Sequence, residues 1–291
     1  MSYVRRKITA TVALGTGTYG NGKATLATLE GLRMVVNITK GALPGSDVAT
    51  GRIYGMPLDL MNQLTSLGKP QIYTRNNVIS YTAGDDTAGM ALVHRGILQE
   101  AWVDFGGAPE VSFNAISFTN TIAMMQPTAA LSFQGSADVA TIMSGIATTL
   151  GLAFENNGVV SKLSNPYFPG TPGQQMIACA RAAGIEATID GTTLAIWPSN
   201  GSRGGAIPVI SPETGMMGYP TYTSSGIGLK TLYNPNIRMA AQVQVKSSLK
   251  AATSTWIVNA VSHELAAELP GGPWDTTLQG YRFGNPMTLP S

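Results

Sequence analysis

Apolar and polar positions alternate with a period of two along most of this chain, the spacing of strands with one dry and one wet face. Residues 5–14 (RRKITATVAL) follow that pattern and lead into a Gly-rich turn, GTGTYGNG. The β-branched stretch 26–40 (LATLEGLRMVVNITK) reads as one or two more strands. ALPGSD interrupts the run and TGRIYGM resumes it, and further strands are expected at NVISYTA, GMALVHRGILQEAWVDF and EVSFNAISF. Near the end, Val243 and Val245 alternate with Gln242, Gln244 and Lys246. In the next strand Trp256, Val258 and Ala260 are expected on one side and Ile257, Asn259 and Val261 on the other.

Helical spacing is rarer. Leu58–Leu64 reads as a short helix with Pro57 at its first position and Gly68 ending it. A second helix is expected from an N-cap at Ser136, through Ile142 and Ile146, to a C-cap at Gly151. A third should begin near Thr171 or Pro172 and run through Met176, Ile177, Ala180 and Ala183 to Gly184. EATIDGTTLAIW follows as a hairpin, with Asp190-Gly191 read as a type I′ turn. PSNGSRGGAIP (198–208) has the composition of a linker. The fold class is therefore mainly β with a small α+β module: a β-rich domain over 1–118 carrying one short helix, the module over 119–205, and a second β domain over 206–291.

Charge changes this picture more than size does. Only 12% of the 291 residues are charged, about half the usual share of roughly 25%. A free monomer with so few charges would have a poorly defended surface; burial against partners is one explanation, and solvation by Thr, Ser and Asn on a large β-rich protein is the other. A net charge of +2 and no basic run longer than Arg5-Arg6-Lys7 argue against nucleic-acid binding. The one cysteine, Cys179, lies on the apolar face of the third helix, which fits a buried inert thiol. The N-terminal stretch lacks the apolar core of a signal peptide, and no run of about eighteen apolar residues suggests a membrane span. Folding in a reducing cytoplasm is the expectation.

Candidate chemistry fails on its own requirements. Gly17 to Gly22, with Lys23 after it, nearly spells a phosphate-binding loop. That loop needs a hydroxyl residue after the Lys and a helix behind it, whereas Ala24 and a strand-like stretch follow. His94 and His263 have no second ligand at metal-binding spacing, and His263-Glu264 reads as a surface or interface pair. Asp85-Asp86 sits in a turn composition, and Ser211, Ser224 and Ser225 lack a nucleophile-elbow setting. No catalytic constellation emerges, and neither a cofactor nor a metal is expected. The four tryptophans, Trp102, Trp197, Trp256 and Trp274, lie in or beside strands, where aromatic residues serve as core or interface anchors. A carbohydrate-binding platform is the alternative reading.

Three blocks taken in order carry a family resemblance: GLRMVVNITK…GRIYGMPLDLMNQLTSLG (31–68), SFQGSADVATIMSGIATTLGL…GTTLAIWP in the middle, and GYPTYTSSGIGLKTLYNPNI…SHELAAELPGGPW at the end. Together the chain resembles the baseplate hub, or tail hub, proteins of tailed bacteriophages. The resemblance implies tail-tube-like β-barrel domains at both ends of the chain. It also implies a homotrimer in which six barrels imitate the sixfold tube. Implied partners are the tail tube protein, the central spike protein and baseplate wedge proteins, with DNA only as passing cargo. The implied place is the virion tail baseplate, after synthesis in the host bacterial cytoplasm. Trp102, Trp256, Trp274, Tyr219 and Pro220 are the interface or structural candidates. The length leaves no room for an added lytic domain, so cell-wall hydrolysis is not implied.

Overall fold

Strand periodicity dominates the molecule as it does the sequence. The computed structural model describes residues 4–15, 25–43, 45–66, 76–106, 111–119, 124–224 and 226–282, and these form twenty strands and three α-helices. They group into two compact units built from interleaved segments: residues 1–39, 47–122 and 263–274 in the first, and 40–46, 123–262 and 275–291 in the second.

In the first unit, β1 (Arg6–Ala13), β2 (Leu26–Leu29), β3 (Met34–Lys40), β4 (Val48–Tyr54), β5 (Val78–Asp85), β6 (Gly89–Asp104) and β7 (Ser112–Phe118) share a sheet with the end of β19 (Ser254–Ala267). The order is β19-β3-β4-β7-β6-β5-β1-β2. Alternate residues face inward: Ile8, Ala10 and Val12 from β1, Met34, Val36 and Ile38 from β3, and Ile79, Tyr81 and Ala83 from β5 are all buried. Each large side chain buried this way contributes about 1.5–3 kcal/mol. Register shifts at Tyr81/Thr82 and at Leu98/Glu100 bend the 16-residue β6. The sheet curls far enough for Tyr81 of β5 to reach Gly51 of β4, across the intervening β7 and β6, where a β-carbon would collide with the phenol.

The expected barrels are corrected here, since the described sheets do not close. In the first unit no backbone ladder joins β1 to the β19 end among the described residues. Side chains span the gap instead. Arg5 pairs with Glu268 at 2.7 Å, Arg6 Nη1 donates to the Gly272 carbonyl at 3.3 Å, and the Arg6 guanidinium lies 5.7 Å from the Trp274 ring centroid. The helix α1 (Leu58–Leu64) is capped by Pro57, one position outside its expected place, and Gly68 lies outside the described residues.

The second unit contains the α+β module. Helices α2 (Val139–Thr149) and α3 (Pro172–Ala183) bury Ile142, Met143, Ile146, Met176 and Cys179 against β10 (Ala153–Asn156), β13 (Ile185–Asp190) and β14 (Thr193–Pro198). The α3 start is as expected: Thr171 and Gln174 form a reciprocal capping box, and Gly184 ends the helix in the left-handed region at φ 62°. The α2 start is not. Ser136 to Asp138 form strand β9, paired with β11 (Lys162–Ser164), so the cap moves to Asp138, whose carboxylate accepts from the Thr141 N–H. The hairpin between β13 and β14 also shifts. Asp190 pairs with Thr193, leaving Gly191 and Thr192 as the turn, with positive φ only at Gly191, which is the II′ pattern.

The same unit holds β16 (Met216–Thr223), β17 (Gly226–Leu232), β18 (Gln242–Val245), β20 (Trp274–Tyr281) and the first part of β19. The strands through Val243 and Trp256 pair directly, with Val243 opposite Trp256 in the β18–β19 register. Val243, Val245, Trp256, Val258 and Leu278 share one core. Val261 joins that core although its parity predicts the opposite face, so the alternation of β19 breaks between Val258 and Val261.

Candidate assembly surfaces

The candidate aromatic residues divide into buried anchors and exposed contacts. Trp256 is 4% exposed; its indole N–H donates to the Ala252 carbonyl at 2.8 Å, and the Arg282 guanidinium stacks 5.0 Å from its ring centroid. Trp274 is buried under Arg6 at the end of a tight loop. That loop is held by Gly272 N–H donating to Leu269 O and Ala266 N–H donating to Pro273 O. A buried indole with a satisfied N–H fixes local packing and presents nothing to a partner.

Trp102 and Tyr219 are the opposite case. Trp102 is 42% exposed on the outer face of β6, and Tyr219 is 71% exposed on β16. Pro220 is buried beside it. Met217 and Tyr222 are also exposed on β16, and Phe105 is exposed just beyond β6. Sequence reading did not single out Met217, Tyr222 or Phe105, because alternation alone does not say which face stays wet. β16 is the edge of its sheet, and its pairing with β17 slips between Met217 and Thr221. The slip and Pro220, which has no N–H to donate, both blunt that edge against strand pairing.

A buried ion network in the second unit is the feature that sequence reading missed. Arg203, within the stretch read as a linker, has a side chain only 1% exposed. It forks onto both Glu155 oxygens at 3.2 and 2.8 Å and reaches Asp190 at 3.0 Å, while Lys40 meets Asp190 at 3.1 Å. The Arg203 hydrogen bond leads the causes that hold the Glu155 carboxyl below its ordinary range. Burial pushes Asp190 upward, but the Lys40 and Arg203 charges outweigh it and hold its pKa at about 2. The segment 198–208 is therefore pinned at its centre. Its only sequence signal was a lone Arg in an uncharged stretch.

The remaining chemical candidates become structural. His94 is fully buried, with Nε2 2.9 Å from Ser117 Oγ. His263 is buried in β19, which corrects its reading as a surface residue. Burial pushes the Cys179 thiol up to about 11, so it stays protonated and unreactive at neutral pH. Asp85 closes the β5–β6 turn by accepting from the N–H groups of Thr87 and Ala88. Gly17 to Lys23 lie outside the described residues, but the strands on either side pair antiparallel, with Leu14 N–H donating to Thr25 O. A strand, not a helix, follows the Gly-rich segment, so the geometry a phosphate loop requires is missing. Among the described residues no group of three or more His, Cys, Asp or Glu could hold a metal, and no helix is long and apolar enough to cross a membrane.

Curved sheets, a compact α+β insert and exposed edge aromatics define a β-rich class of protein. The family model described as baseplate hub gp41 matches residues 8–268, and the chain belongs to that family. No curated protein matches it. Its fold is similar to a 43 kDa tail protein of prophage MuSo2 from Shewanella oneidensis, at 10% identity over 96% of this chain and 97% of that one, with a TM-score of 0.58. A tail protein from Neisseria meningitidis is similar at 9% identity over 94% and 97%, with a TM-score of 0.59. The E. coli c3393 protein, a component of the type VI secretion system, is similar at 8% identity over 87% and 74%, with a TM-score of 0.54. At such identities the likeness is one of fold. Family membership makes the chain a structural tail component and a part of the virion.

Proposed function

We propose that this chain is the central hub of a tail baseplate, a homotrimer that adapts the sixfold tail tube to a threefold spike. The observation that carries this reading is the presence of two sheet-containing units in one chain of a hub family. Three copies supply six such units, and an open sheet leaves edges that a neighbour can complete. The low charge content fits a surface largely covered in the assembly. In this reading the tail tube lies above the hub, the spike below and wedge proteins around it. DNA passes through without being bound for its sequence, and the hub does no chemistry. The three sequence segments, 1–118, 119–205 and 206–291, serve as first β part, α+β spacer and second β part. Trp256 and Trp274 hold the β parts in shape, Trp102 and Tyr219 belong to contact faces, and the buried Pro220 is a structural residue of the β16 edge.

Copy number in purified tails tests the reading. Native mass measurement of hub–spike subassemblies is expected to give three copies of this chain for each trimeric spike. One or six copies would remove the trimeric adaptor. Binding of glycans by the isolated monomer, with no stable complex formed with tube or spike, would favour the carbohydrate-binding alternative.

A further inference from the structure

The segment 198–208 has the composition of a flexible tether, yet it is fastened at its centre. The second unit, in which it lies, contains two separate hydrophobic cores. One belongs to the α+β module and includes Ile142, Met143, Ile146, Met176 and Leu194. The other belongs to the second β part and includes Val243, Val245, Trp256 and Leu278. The two share no residue. Along β14, Leu194 and Ile196 face the helices, whereas Ala195 and Trp197 alternate onto the opposite face and meet Ala240 there in a small third cluster. A cluster in which two of the three side chains are alanines buries little apolar surface with which to hold one body on another.

What holds instead is polar and centred on Arg203. In the small sheet β10 and β13 flank β14, and Arg203 reaches Glu155 of β10 on one side and Asp190 of β13 on the other. Its backbone, by contrast, belongs to the second β part. The Arg203 N–H donates to the Ala240 carbonyl at 2.8 Å, and Arg203 forms a parallel bridge with Ala241 just before β18. Gly204 repeats the pattern: its N–H donates to Asn157 Oδ1 at 2.8 Å, and its carbonyl accepts from Arg238 Nη2 at 3.2 Å. Ala240 itself sits in the left-handed region at φ 61°, a conformation that an alanine keeps only where its surroundings hold it.

We propose that residues 198–208 are a clasp. Closed, with Arg203 seated, they lock the α+β module to the second β part; open, the module swings as an intact body on its Gly- and Ser-rich tether. The physical basis is that one buried guanidinium ties together two carboxylates from different strands. Without it, Lys40 still meets Asp190 at 3.1 Å and Arg238 still meets Glu155 at 3.9 Å, but no single group joins the two. The partly buried carboxylates then gain by turning toward water, which parts this face of the sheet and leaves the core on the helix side closed. Gly201, Gly204 and Gly205 let the tether take up the new angle. The clasp concerns a single subunit, so it goes beyond the hub reading and does not depend on it.

Two measurements on the full chain test the clasp. Spin labels at Ala182→Cys on α3 and Thr277→Cys on β20, both exposed positions, are selective because Cys179 is buried. With Arg203 present, double electron–electron resonance is expected to give one narrow distance distribution. Arg203→Gln is expected to broaden it severalfold, and Arg203→Lys, which keeps the charge and loses the fork, to broaden it less. Hydrogen exchange on the same variants reads the module itself. Amides of α2 and α3 are expected to keep their wild-type protection, while the Gly204 amide exchanges faster. The proposal is overturned if the Arg203→Gln distribution stays as narrow as that of wild type, or if the wild-type distribution is already broad. It is equally overturned if α2 and α3 lose protection along with Gly204, since module and β part would then be one cooperative body.

Discussion

Replacing Trp256 with Ala removes an indole that fills the core around Val243, Val258 and Leu278, and with it the N–H bond to Ala252 and the surface beneath Arg282. The expected cost is about 3–5 kcal/mol, a large part of a typical stability of roughly 5–15 kcal/mol. A thermal or denaturant midpoint reads it, and tail assembly is expected to fail in parallel. Trp256→Ala protein with an unchanged midpoint would remove the anchor role. Gly51 makes a complementary test, because its lack of a side chain admits the Tyr81 phenol. Gly51→Ala is expected to destabilise by about 1–3 kcal/mol through overpacking. Adding Tyr81→Phe, which deletes the hydroxyl nearest the new methyl, is expected to recover part of that loss. If the two substitutions proved additive, the contact across the sheet interior would not be the cause.

Elements differ in how readable they were, and the difference follows the range of the forces that set them. The α3 helix was legible end to end because each end is set locally, the start by Thr171, Pro172 and Gln174 and the end by Gly184 bonding to the Ala180 and Arg181 carbonyls. The α2 cap was misplaced because Ser136 is drawn into a strand by its partner Ser164, 28 positions further along the chain. The Arg203 network was invisible because Glu155 lies 48 residues from Arg203 in sequence. That network makes a prediction about acid. Asp190 and Glu155 have depressed pKa values in the folded state, so the unfolded chain binds protons first as pH falls. Their contribution is complete above the ordinary carboxylate range of about 4 and is lost progressively as pH drops toward 2, where Asp190 titrates. Arg203→Ala should remove about 3–5 kcal/mol at neutral pH by stranding partly buried carboxylates. It should also flatten the decline in stability between about pH 4 and pH 2. An acid-titration series of urea midpoints that stays parallel to wild type would show that the network does not set the acid limb.

At the scale of the molecule, the periodicity of two was enough to place the long strands of the first unit and β18 and β19, but it missed short ones such as β9, β10 and β11 and could not tell a closed barrel from a curled open sheet. Closure depends on which strands meet at the ends, here β1 and the β19–β20 loop, and side chains such as Arg5 and Glu268 hold that junction. Surface roles are separable from folding. Tyr219→Ala and Tyr222→Ala, at exposed positions on β16, are expected to change the stability of the isolated protein by less than about 0.5 kcal/mol while reducing incorporation into tails. A loss of stability equal to the loss of incorporation would make these tyrosines packing residues and not contacts.

The interleaving of the two units along the chain bears on how the protein is made. The first unit draws on residues 1–39 and 47–122 but also on 263–274. A ribosome working at about 5–20 residues per second must therefore release most of the polypeptide before β3 can meet the strand that flanks it. Until then the hydrophobic side of β3, with Met34, Val36 and Ile38, has no finished sheet to enter. Chains arrested short of residue 263 should consequently be substrates for chaperones and proteases, however complete their first hundred residues, because the first unit waits on residues 263–274.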